Sequence, residues 1–277
     1  MFTFELVIFL IALGLITGFF SGLLGIGGGT IVVPGLAILF HNYTSEVQDS
    51  YMQFAAGSSL AVIIFSSISS YRKNLRVNAI YKPILRTMTP WIILFVIIGA
   101  VIAFWSSSEI LSILFCLLLL YLLIDLLIRM FKKNSFNKEN NPKFSKKSLR
   151  IGASAIGFVS GLLGLGGGII SVPFFNKGGL SMRMSAGTSS YIALVISISG
   201  AIIFALIGYL DHINIQYTTG FIYWPAVLLI IPFAIISAPY GIKLRDHLSN
   251  NTICIIFILY LILVIIKMLS LAFVKIF

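Results

Sequence analysis

The segment Ser21-Gly-Leu-Leu-Gly-Ile-Gly-Gly-Gly29 interrupts an apolar run that would otherwise form a membrane-spanning helix. Glycine destabilises a helix interior by roughly 1 kcal/mol relative to alanine, so five glycines within this segment predict a break in the helix. Ser160-Gly-Leu-Leu-Gly-Leu-Gly-Gly-Gly168 repeats the segment with one conservative difference, and Pro34 and Pro173 follow at equal distances. A helix break that recurs in both halves of an apolar chain points to the binding site of a transporter.

Composition places the chain in a membrane. Of its 277 residues 59% are hydrophobic and only 10% are charged, and the mean hydropathy is +1.07. About a quarter of the residues in soluble domains are charged, so this composition excludes an ordinary soluble fold. Several apolar runs reach the roughly 20 residues that a helix needs to cross a bilayer. The sequence therefore predicts an all-α polytopic protein of the cell membrane, either a plasma membrane or a bacterial inner membrane.

The excess of basic residues fits the same class. The formal net charge is +11, which in a soluble protein would suggest nucleic acid as a partner. In a membrane protein, Lys and Arg instead mark the cytoplasmic loops, so no nucleic-acid partner is expected. Cys116 and Cys254 lie within apolar runs, without the spacing of a metal site, and neither a metal nor a cofactor is predicted.

The order of apolar and polar segments divides the chain into two similar halves. Residues 1–131 are predicted to form an N-terminal transmembrane repeat, residues 132–150 a basic cytoplasmic linker, and residues 151–277 a C-terminal repeat. Each repeat contains a glycine-broken element, re-entrant or hairpin-shaped, and three transmembrane helices. The predicted segments are 4–20 with 30–40, 52–70, 88–105 and 109–131, then 151–175, 184–208, 221–239 and 251–274. The charge of the linker also predicts contact with anionic lipid headgroups.

Loop charges indicate how the halves are oriented. With the linker in the cytoplasm, loop 71–87, which has five basic residues, falls inside, and loop 41–50, which has none, falls outside. If segment 151–175 dips into the membrane and returns, the basic loop 176–183 also falls inside, and loop 209–220, without Lys or Arg, falls outside. These charges favour an inverted repeat, which suits alternating access. Eight plain spans in two parallel repeats are the alternative.

The glycine segments supply the chemistry of an anion site. Exposed backbone is not tolerated in hydrocarbon, so both turns must be buried in protein or line a wet cavity. A glycine turn that leads into a helix leaves amide groups unpaired at the positive end of the helix dipole, where anions bind. Polar side chains of neighbouring helices add further donors. The predicted substrate-binding residues are Gly27, Gly28, Gly29, Thr30, Gln53, Ser58, Ser59, Gly166, Gly167, Gly168, Thr188, Ser189 and Ser190.

The glycines have two other possible interpretations, close helix packing and a phosphate-binding loop, and each predicts a different sequence pattern. Small residues allow membrane helices to pack closely, but such motifs space them one turn apart, whereas three glycines are consecutive here. Close packing nevertheless stays open as an alternative. A phosphate-binding loop would need a following Gly-Lys-Ser/Thr and a neighbouring parallel sheet, and the sequence offers neither.

Acidic and nucleophilic residues with catalytic spacing are rare in the apolar segments. Of the eight acidic residues only Asp125 lies well inside an apolar run, with Arg129 four residues later as its expected helix partner. Proton-coupled cation pumps usually need carboxylates near the midplane. The sequence shows no nucleophile–base pair or metal constellation, so an enzyme is not expected.

The paired motif, Gly-x-Gly-Gly-Gly followed by proline at Gly25–Pro34 and Gly164–Pro173, resembles the TauE/SafE family of membrane transport proteins, also called sulfite exporters. The resemblance covers essentially the whole chain. It implies transport of sulfur-containing anions such as sulfite, sulfoacetate or other organosulfonates, often outward. The argument from glycine amides agrees with an anion but does not by itself single out sulfur.

The sequence thus predicts a secondary transporter that binds a small anion between the two glycine turns and works by alternating access. An anion-selective channel that uses the same turns as its pore is the alternative, and a non-transporting membrane scaffold is a third hypothesis. The expected partners are the small anion and the lipid bilayer. The coupling ion, the direction of transport and the oligomeric state are left open.

Overall fold

The structure is a computed structural model and describes residues 4–24, 28–43, 45–131, 144–213, 215–247 and 250–273. Ten α-helices account for most of these residues. They are α1 (Phe4–Leu24), α2 (Gly29–Tyr43), α3 (Tyr51–Arg76), α4 (Leu85–Trp105), α5 (Ser108–Phe131), α6 (Lys146–Leu163), α7 (Gly168–Lys177), α8 (Met182–Leu210), α9 (Trp224–His247) and α10 (Asn250–Phe273). Short 3-10 helices occupy Ser45–Ser50 and Lys82–Ile84.

Six of these helices are long and apolar enough to cross a membrane, namely α1, α3, α4, α5, α8 and α9. The apolar segments 29–42 and 255–270 are shorter. Helix α3 is the most enclosed of the six, and every residue from Tyr51 to Ile63 is buried. The predicted all-α membrane architecture is confirmed, and α3 forms its centre.

Three helix boundaries differ from the sequence-based segments by five residues or more. Helix α9 continues to His247, past the predicted end at residue 239. Helix α3 continues to Arg76, past the predicted end at residue 70. Residues 71–76 of the predicted basic loop therefore belong to the end of this helix. Helix α6 begins at Lys146, inside the predicted linker, where the Ser145 hydroxyl accepts a hydrogen bond from the amide of Ser148 (3.1 Å) and caps the helix. Residues 132–143 of the linker lie outside the described residues.

A small hairpin between α8 and α9 was not expected from the sequence. Strand β1 (Thr218–Thr219) pairs antiparallel with β2 (Ile222–Tyr223). Gly220 adopts a positive φ of 57° in the turn, which glycine tolerates without strain. The hairpin packs on the first turns of α3, because the amide of Tyr223 donates to the Ser58 hydroxyl (2.9 Å).

Each glycine segment divides its element into two antiparallel helices, as predicted. Helix α6 ends because Gly164 adopts a left-handed conformation (φ 72°, ψ 24°), and the amide of Leu165 donates to the carbonyl of Ser160 (3.1 Å). Gly167, also left-handed (φ 69°), precedes α7. In the first half, α1 ends at Leu24 and α2 begins at Gly29. Both broken elements are therefore helical hairpins.

Proline in α2 leaves an acceptor that the second half of the chain uses. Pro34 lies at the sixth residue of its helix and has no amide hydrogen, so the carbonyl of Thr30 has no donor one turn later. The Tyr260 hydroxyl of α10 donates to that carbonyl (2.9 Å). This hydrogen bond joins the first turn of α2 to α10 in the other half of the chain.

The main helix contacts join one half of the chain to the other. Helix α1 packs on α9 and α6 packs on α4, while α3 packs on α8 and α5 on α10. The same residue types form two of these contacts. Gly99 of α4 lies against the carbonyl of Phe158 in α6, and Gly241 of α9 lies against that of Phe19 in α1. Exchanging the two halves therefore leaves these main contacts unchanged, as a pseudo-two-fold relation between them would.

Helix directions follow from residue pairs along each contact. Ser67 and Ser197 approach with their hydroxyl oxygens 3.4 Å apart, and Asn74 donates to Ser190 (3.3 Å), so α3 and α8 run antiparallel. The equivalent helices α3 and α8 thus run in opposite directions. This is the direction that an inverted repeat requires, whereas parallel repeats would align α3 with α8. The sidedness in a membrane stays a prediction.

The loops gather at two ends of the bundle in the way that their charges predicted. At one end, the Arg183 guanidinium donates to the carbonyl of Val77 (3.0 Å) and the amide of Tyr81 donates to the Thr188 hydroxyl (2.9 Å). These contacts join the loops predicted to be cytoplasmic. At the other end, the Ser108 hydroxyl donates to the carbonyl of Asp49 (2.8 Å).

Candidate functional site

The two glycine turns meet in the middle of the molecule. A methyl group added at Gly29 would lie 3.4 Å from the amide nitrogen of Gly166 and 3.5 Å from the Cα of Leu165. Ile63 of the central helix α3 covers both turns, because its side chain would lie 3.0 Å from a methyl group at Gly29 and 2.9 Å from one at Gly166. Segments nearly 140 positions apart in the chain thus form one site.

A cavity of ≈ 160 Å³ opens beside the apposed turns. None of the described residues that line it carries a charge. The lining consists of Ser21, Gly28, Gly29, Thr30, Ile63, Ser66, Ser67, Ser70, Leu165, Gly166, Gly167, Gly168, Ile169, Val172, Ala186, Ser189, Ser190 and Ala193. The cavity can therefore recognise a ligand only through backbone groups, hydroxyls and apolar contacts.

Two helices begin at this cavity, α2 and α7. The carbonyl of Gly28 accepts the first hydrogen bonds of α2, from the amides of Ile31 (3.0 Å) and Val32 (2.9 Å). The carbonyl of Gly167 does the same for α7, with the amide of Ser171 at 2.9 Å. The first amides of each helix, those of Gly29 in α2 and Gly168 in α7, have no partner within their own helix. Two positive helix ends therefore face one cavity.

Three buried hydroxyls around the turns have no hydrogen-bond partner among the described atoms: those of Thr17, Ser59 and Ser160. Thr17 abuts the first turn, since its Cγ2 would lie 2.8 Å from a methyl group at Gly28. Ser160 abuts the second, since its Oγ would lie 3.2 Å from a methyl group at Gly167. A buried polar group without a partner is rare and calls for an unseen water molecule or ion.

Ser59 reaches the same place from α3. It lies on the helix face that also carries Ala56, which contacts Gly164, and Ile63, which contacts Gly166. Ser59 therefore lies on the side of α3 that packs on the second glycine turn. Thr17 and Ser160 thus abut the two turns, and Ser59 is buried on the adjoining face of α3.

Other hydroxyls of the lining already donate their hydrogen atoms. Ser66 donates to the carbonyl of Ile63 (3.1 Å), and Ser190 donates to that of Gly187 (2.6 Å). Ser189 and Ser171 share a hydrogen bond of 2.5 Å. Ser66 and Ser190 can accept from a ligand, but donation to an anion would require them to leave their present acceptors. One hydroxyl of the Ser171–Ser189 pair keeps its hydrogen free, because only one of the two donates.

The predicted site residues divide between the cavity and its surroundings. The structure brings together eight of them at the cavity: Gly28, Gly29, Thr30, Gly166, Gly167, Gly168, Ser189 and Ser190. Gly27 lies outside the described residues. Ser59 is buried behind the turns.

Gln53, Ser58 and Thr188 do not line the cavity, because their polar atoms connect helices and loops. The Gln53 amide donates to the carbonyls of Ala103 (3.1 Å) and Ser106 (2.8 Å). Ser58 and Thr188 accept amides of the segments before α9 and α4, in equivalent positions of the two repeats. Each holds one end of the bundle together.

Several functional candidates were not assigned from the sequence. Ser21, Ser66, Ser67 and Ser70 line the cavity, and Thr17 and Ser160 flank it. The serine-rich end of α3 and its echo in α8 were visible in the sequence as part of the repeat. The sequence does not show how each helix is rotated about its axis, and this rotation decides which side chains face the turns.

The cavity is accessible from one end of the bundle. Its lining residues Ser66, Ser70 and Ala186 are exposed and lie toward the end that carries loop 77–84. Toward the other end the first turns of α3 are buried, and Phe221 contacts three phenylalanine rings at centroid distances of 5.2 to 6.2 Å. These rings belong to Phe54, Phe104 and Phe204.

Metal chemistry finds no support in the described part of the chain, where His, Cys, Asp and Glu do not gather in groups of three that could hold an ion. Cys116 is buried between α5 and α10, with its Sγ 3.9 Å from the carbonyl of Ile265. It contributes to packing away from the cavity.

Comparison with known proteins agrees with this architecture. The chain is 32% identical over 269 residues to a probable membrane transporter protein of Haemophilus influenzae, covering 97% of this chain and 99% of that protein. A probable membrane transporter protein of Bacillus subtilis is 28% identical over 280 residues, covering 93% and 95%. One of Methanocaldococcus jannaschii is 27% identical over 241 residues, covering 87% and 86%. No solved structure gives a significant match.

The family comparison covers almost the same length. The family described as sulfite exporter TauE/SafE matches residues 10–268, which include both glycine turns and all ten helices in whole or part. Together with the six candidate spans, these matches identify a multi-pass membrane transporter. The chain belongs to the TauE/SafE sulfite exporter family.

Proposed function

We propose that this transporter is a secondary carrier that binds a small anion between the two glycine turns. One observation carries the proposal: two helix N-termini open on a cavity whose described lining residues are all uncharged, and the buried hydroxyls of Thr17 and Ser160 flank its glycine turns without a partner among the described atoms. In partly buried geometry each helix end stabilises a negative charge by up to about 2 kcal/mol. Backbone amides and hydroxyls add hydrogen bonds to a charged group, each contributing about 1.5–3 kcal/mol.

The absence of a charge among the described lining residues favours a small anion over a cation. A cation would meet the positive ends of both dipoles and no carboxylate. An anion would meet donors on two sides and would need no buried Lys or Arg as counter-ion. The cavity volume of ≈ 160 Å³ suits a small oxyanion rather than a large organic solute.

Sulfite or an organosulfonate is our proposed substrate class. Its tetrahedral or pyramidal oxygens could accept amide hydrogens from both turns at once, as phosphate and sulfate do at helix N-termini. The family description supports sulfur, while the geometry supports an oxyanion in general. The specificity for sulfur therefore rests on the family.

Alternating access is our proposed mechanism. The exposed lining residues Ser66, Ser70 and Ala186 lie toward the end with loop 77–84, which the loop charges assign to the cytoplasm, and an aromatic cluster around Phe221 packs at the other end. Such one-sided access suits a carrier in a state open to the cytoplasm better than a channel. In an inverted repeat, exchanging the conformations of the halves would produce the outward-open state.

A flux screen in proteoliposomes tests the substrate class. Purified protein would be assayed with sulfite, thiosulfate, organosulfonates and small carboxylates. We expect saturable uptake of at least one sulfur oxyanion and uphill counterflow driven by trapped substrate. Uptake without counterflow would indicate the channel instead, and absence of flux for every anion would favour a scaffold.

A single added methyl group tests the location of the site. Gly29→Ala would place a methyl group 3.4 Å from the amide nitrogen of Gly166 and 3.0 Å from the flexible end of Ile63. The methyl group would cover an amide donor, while alanine in a helix gains up to about 1 kcal/mol over glycine. We expect the apparent substrate affinity to fall about 10-fold or more, with the midpoint of thermal unfolding nearly unchanged.

Gly200→Ala is the matched control for this variant. Its methyl group would meet the flexible end of Leu60 at 2.7 Å, in α8 but outside the cavity lining. Transport by folded Gly200→Ala protein should equal that of the wild type. If Gly29→Ala also transports with wild-type affinity, the anion does not bind between the turns.

A further inference from the structure

A groove on the outer surface of the bundle has a composition unlike the central cavity. It has a volume of ≈ 840 Å³ and lies between α4 and α6, where the loop charges place the cytoplasmic leaflet. Trp91 and Phe95 of α4 form one wall, with ring centroids 6.4 Å apart, and Ile151 and Phe158 of α6 belong to the other. No acidic residue is among its described lining residues.

Three cations stand at one end of this groove. Lys146, Lys147 and Arg150 occupy the first turns of α6, and all three are exposed. The Arg150 guanidinium lies 5.8 Å from the centroid of the Trp91 ring, a cation–π contact that holds it over the apolar wall. Charge is therefore concentrated at the end of the groove that lies nearest the water.

The length of the groove fits one leaflet. From Arg150 to Phe158 the helix rises about 12 Å, given 1.5 Å per residue. Half of a typical hydrocarbon core is about 15 Å thick. An acyl chain could therefore lie along the aromatic wall while its headgroup meets the cations.

The pseudo-equivalent surface of the other half has no such charges. Because Phe19 of α1 corresponds to Phe158 of α6, the positions equivalent to the three cations are Val7, Ile8 and Ile11. The fold thus does not require cations at this place. Their presence in one repeat alone marks a specific feature of the second half.

We propose that this groove between α4 and α6 binds an anionic phospholipid, with the phosphate on Lys146, Lys147 and Arg150 and an acyl chain along Trp91 and Phe95. Such a lipid fits both parts of the groove, whereas inorganic phosphate lacks the acyl chain and a zwitterionic phospholipid brings a headgroup cation close to the three basic residues. The proposal is independent of which anion the central cavity transports.

Tryptophan fluorescence can report on this groove directly. The chain has three tryptophans, and replacing Trp105 and Trp224 by phenylalanine leaves Trp91 as the only one. The single-tryptophan protein would be reconstituted with a small mole fraction of brominated phosphatidylglycerol or brominated phosphatidylcholine in an unlabelled phosphatidylcholine background. Bromine on the acyl chain quenches tryptophan fluorescence at short range.

We expect brominated phosphatidylglycerol to quench Trp91 at a lower mole fraction than brominated phosphatidylcholine. The test variant replaces the three groove cations by glutamine and should weaken the preference for the anionic lipid about 100-fold, because each basic residue near an anionic surface contributes roughly fivefold. The control variant removes three cations from the same face of the protein, at the end of α3: Arg72→Gln, Lys73→Gln and Arg76→Gln.

Loss of Arg150 would itself change the fluorescence of Trp91, but this change is the same with either lipid. Comparing the quenching by the two lipids within each variant therefore cancels it. Retention of the preference in the α3 control and its loss in the groove variant would support the proposal. Equal quenching by the two lipids in the parent protein would overturn it, and so would equal loss in both variants, which would indicate only the general positive charge of this face. Gel filtration and circular dichroism would establish that each variant is folded.

Discussion

Removing an unpaired hydroxyl should stabilise this protein and impair its transport. Thr17 and Ser160 are buried beside the two glycine turns, and their hydroxyls have no partner among the described atoms. Leaving a buried hydroxyl unsatisfied costs about 1–3 kcal/mol. Thr17→Val keeps the shape of the side chain, so we expect the ligand-free protein to gain about 1 kcal/mol or more in free energy of unfolding. Ser160→Ala should gain less, because it leaves a small void.

The same substitutions should weaken anion binding. A hydrogen bond to a charged group contributes about 1.5–3 kcal/mol, and 1.4 kcal/mol corresponds to a tenfold change in affinity. If each hydroxyl donates to the bound anion, its loss should lower the affinity roughly 10- to 150-fold. Stability and function therefore move in opposite directions, which general damage to the fold would not produce.

Thermal unfolding in detergent, with and without sulfite, measures both effects at once. We expect Thr17→Val to raise the unfolding midpoint of the ligand-free protein and to reduce the upward shift that sulfite causes. Counterflow of sulfite in proteoliposomes gives the functional comparison. If sulfite does not shift the wild type, the anion identified by the flux screen takes its place.

Ser199→Ala provides the control for a serine in a partly buried helix. The Ser199 hydroxyl donates to the carbonyl of Val195 (2.7 Å) and does not line the cavity. Its loss should leave counterflow unchanged. The reasoning would be refuted if Thr17→Val and Ser160→Ala lowered stability by more than about 1 kcal/mol and left counterflow intact, because the hydroxyls would then have structural partners.

Two further predictions concern the turns and the orientation. Gly167→Val should abolish transport, because the φ of 69° at this position disfavours any side chain and the new Cβ would clash with Ile196. Gly28→Val should also abolish transport, because its side chain would clash with Thr17. In both cases insertion should be retained, as measured by fractionation and protease protection, and normal flux in both variants would contradict the site. Reporter fusions after Asn42 and after His212 should both report the outside, and signals on opposite sides would leave parallel repeats standing.

The membrane class and the helix breaks were predictable because local chemistry sets them. Composition decides whether a chain can be buried in hydrocarbon. Consecutive glycines disfavour a continuous helix, and accordingly α6 ends at Leu163 with Gly164 as its C-cap and α7 begins at Gly168. Charges of loops likewise act locally, so the loops predicted to share a side do meet at one end of the bundle.

The alternative that the glycines serve close packing is correct for some of them. Gly157 and Gly161 of α6 lie one turn apart and contact the backbone of Ile92 and Val96 in α4, which is the spacing of small residues in membrane-helix packing. The glycines from Gly164 onward instead form the turn and line the cavity. The second glycine segment therefore serves helix packing before the end of α6 and forms the turn after it.

The sequence by itself determined the kind of protein, the duplication and the two turns; only the tertiary structure decided which side chains surround them. Gln53, Ser58 and Thr188 were equally good candidates from the sequence, yet they join helices to loops, while Thr17 and Ser160 face the turns. The physical reason is that a residue's facing depends on how its helix is rotated and crossed by its neighbours. Here those neighbours belong to the other repeat, more than a hundred residues away, so no local pattern records the outcome.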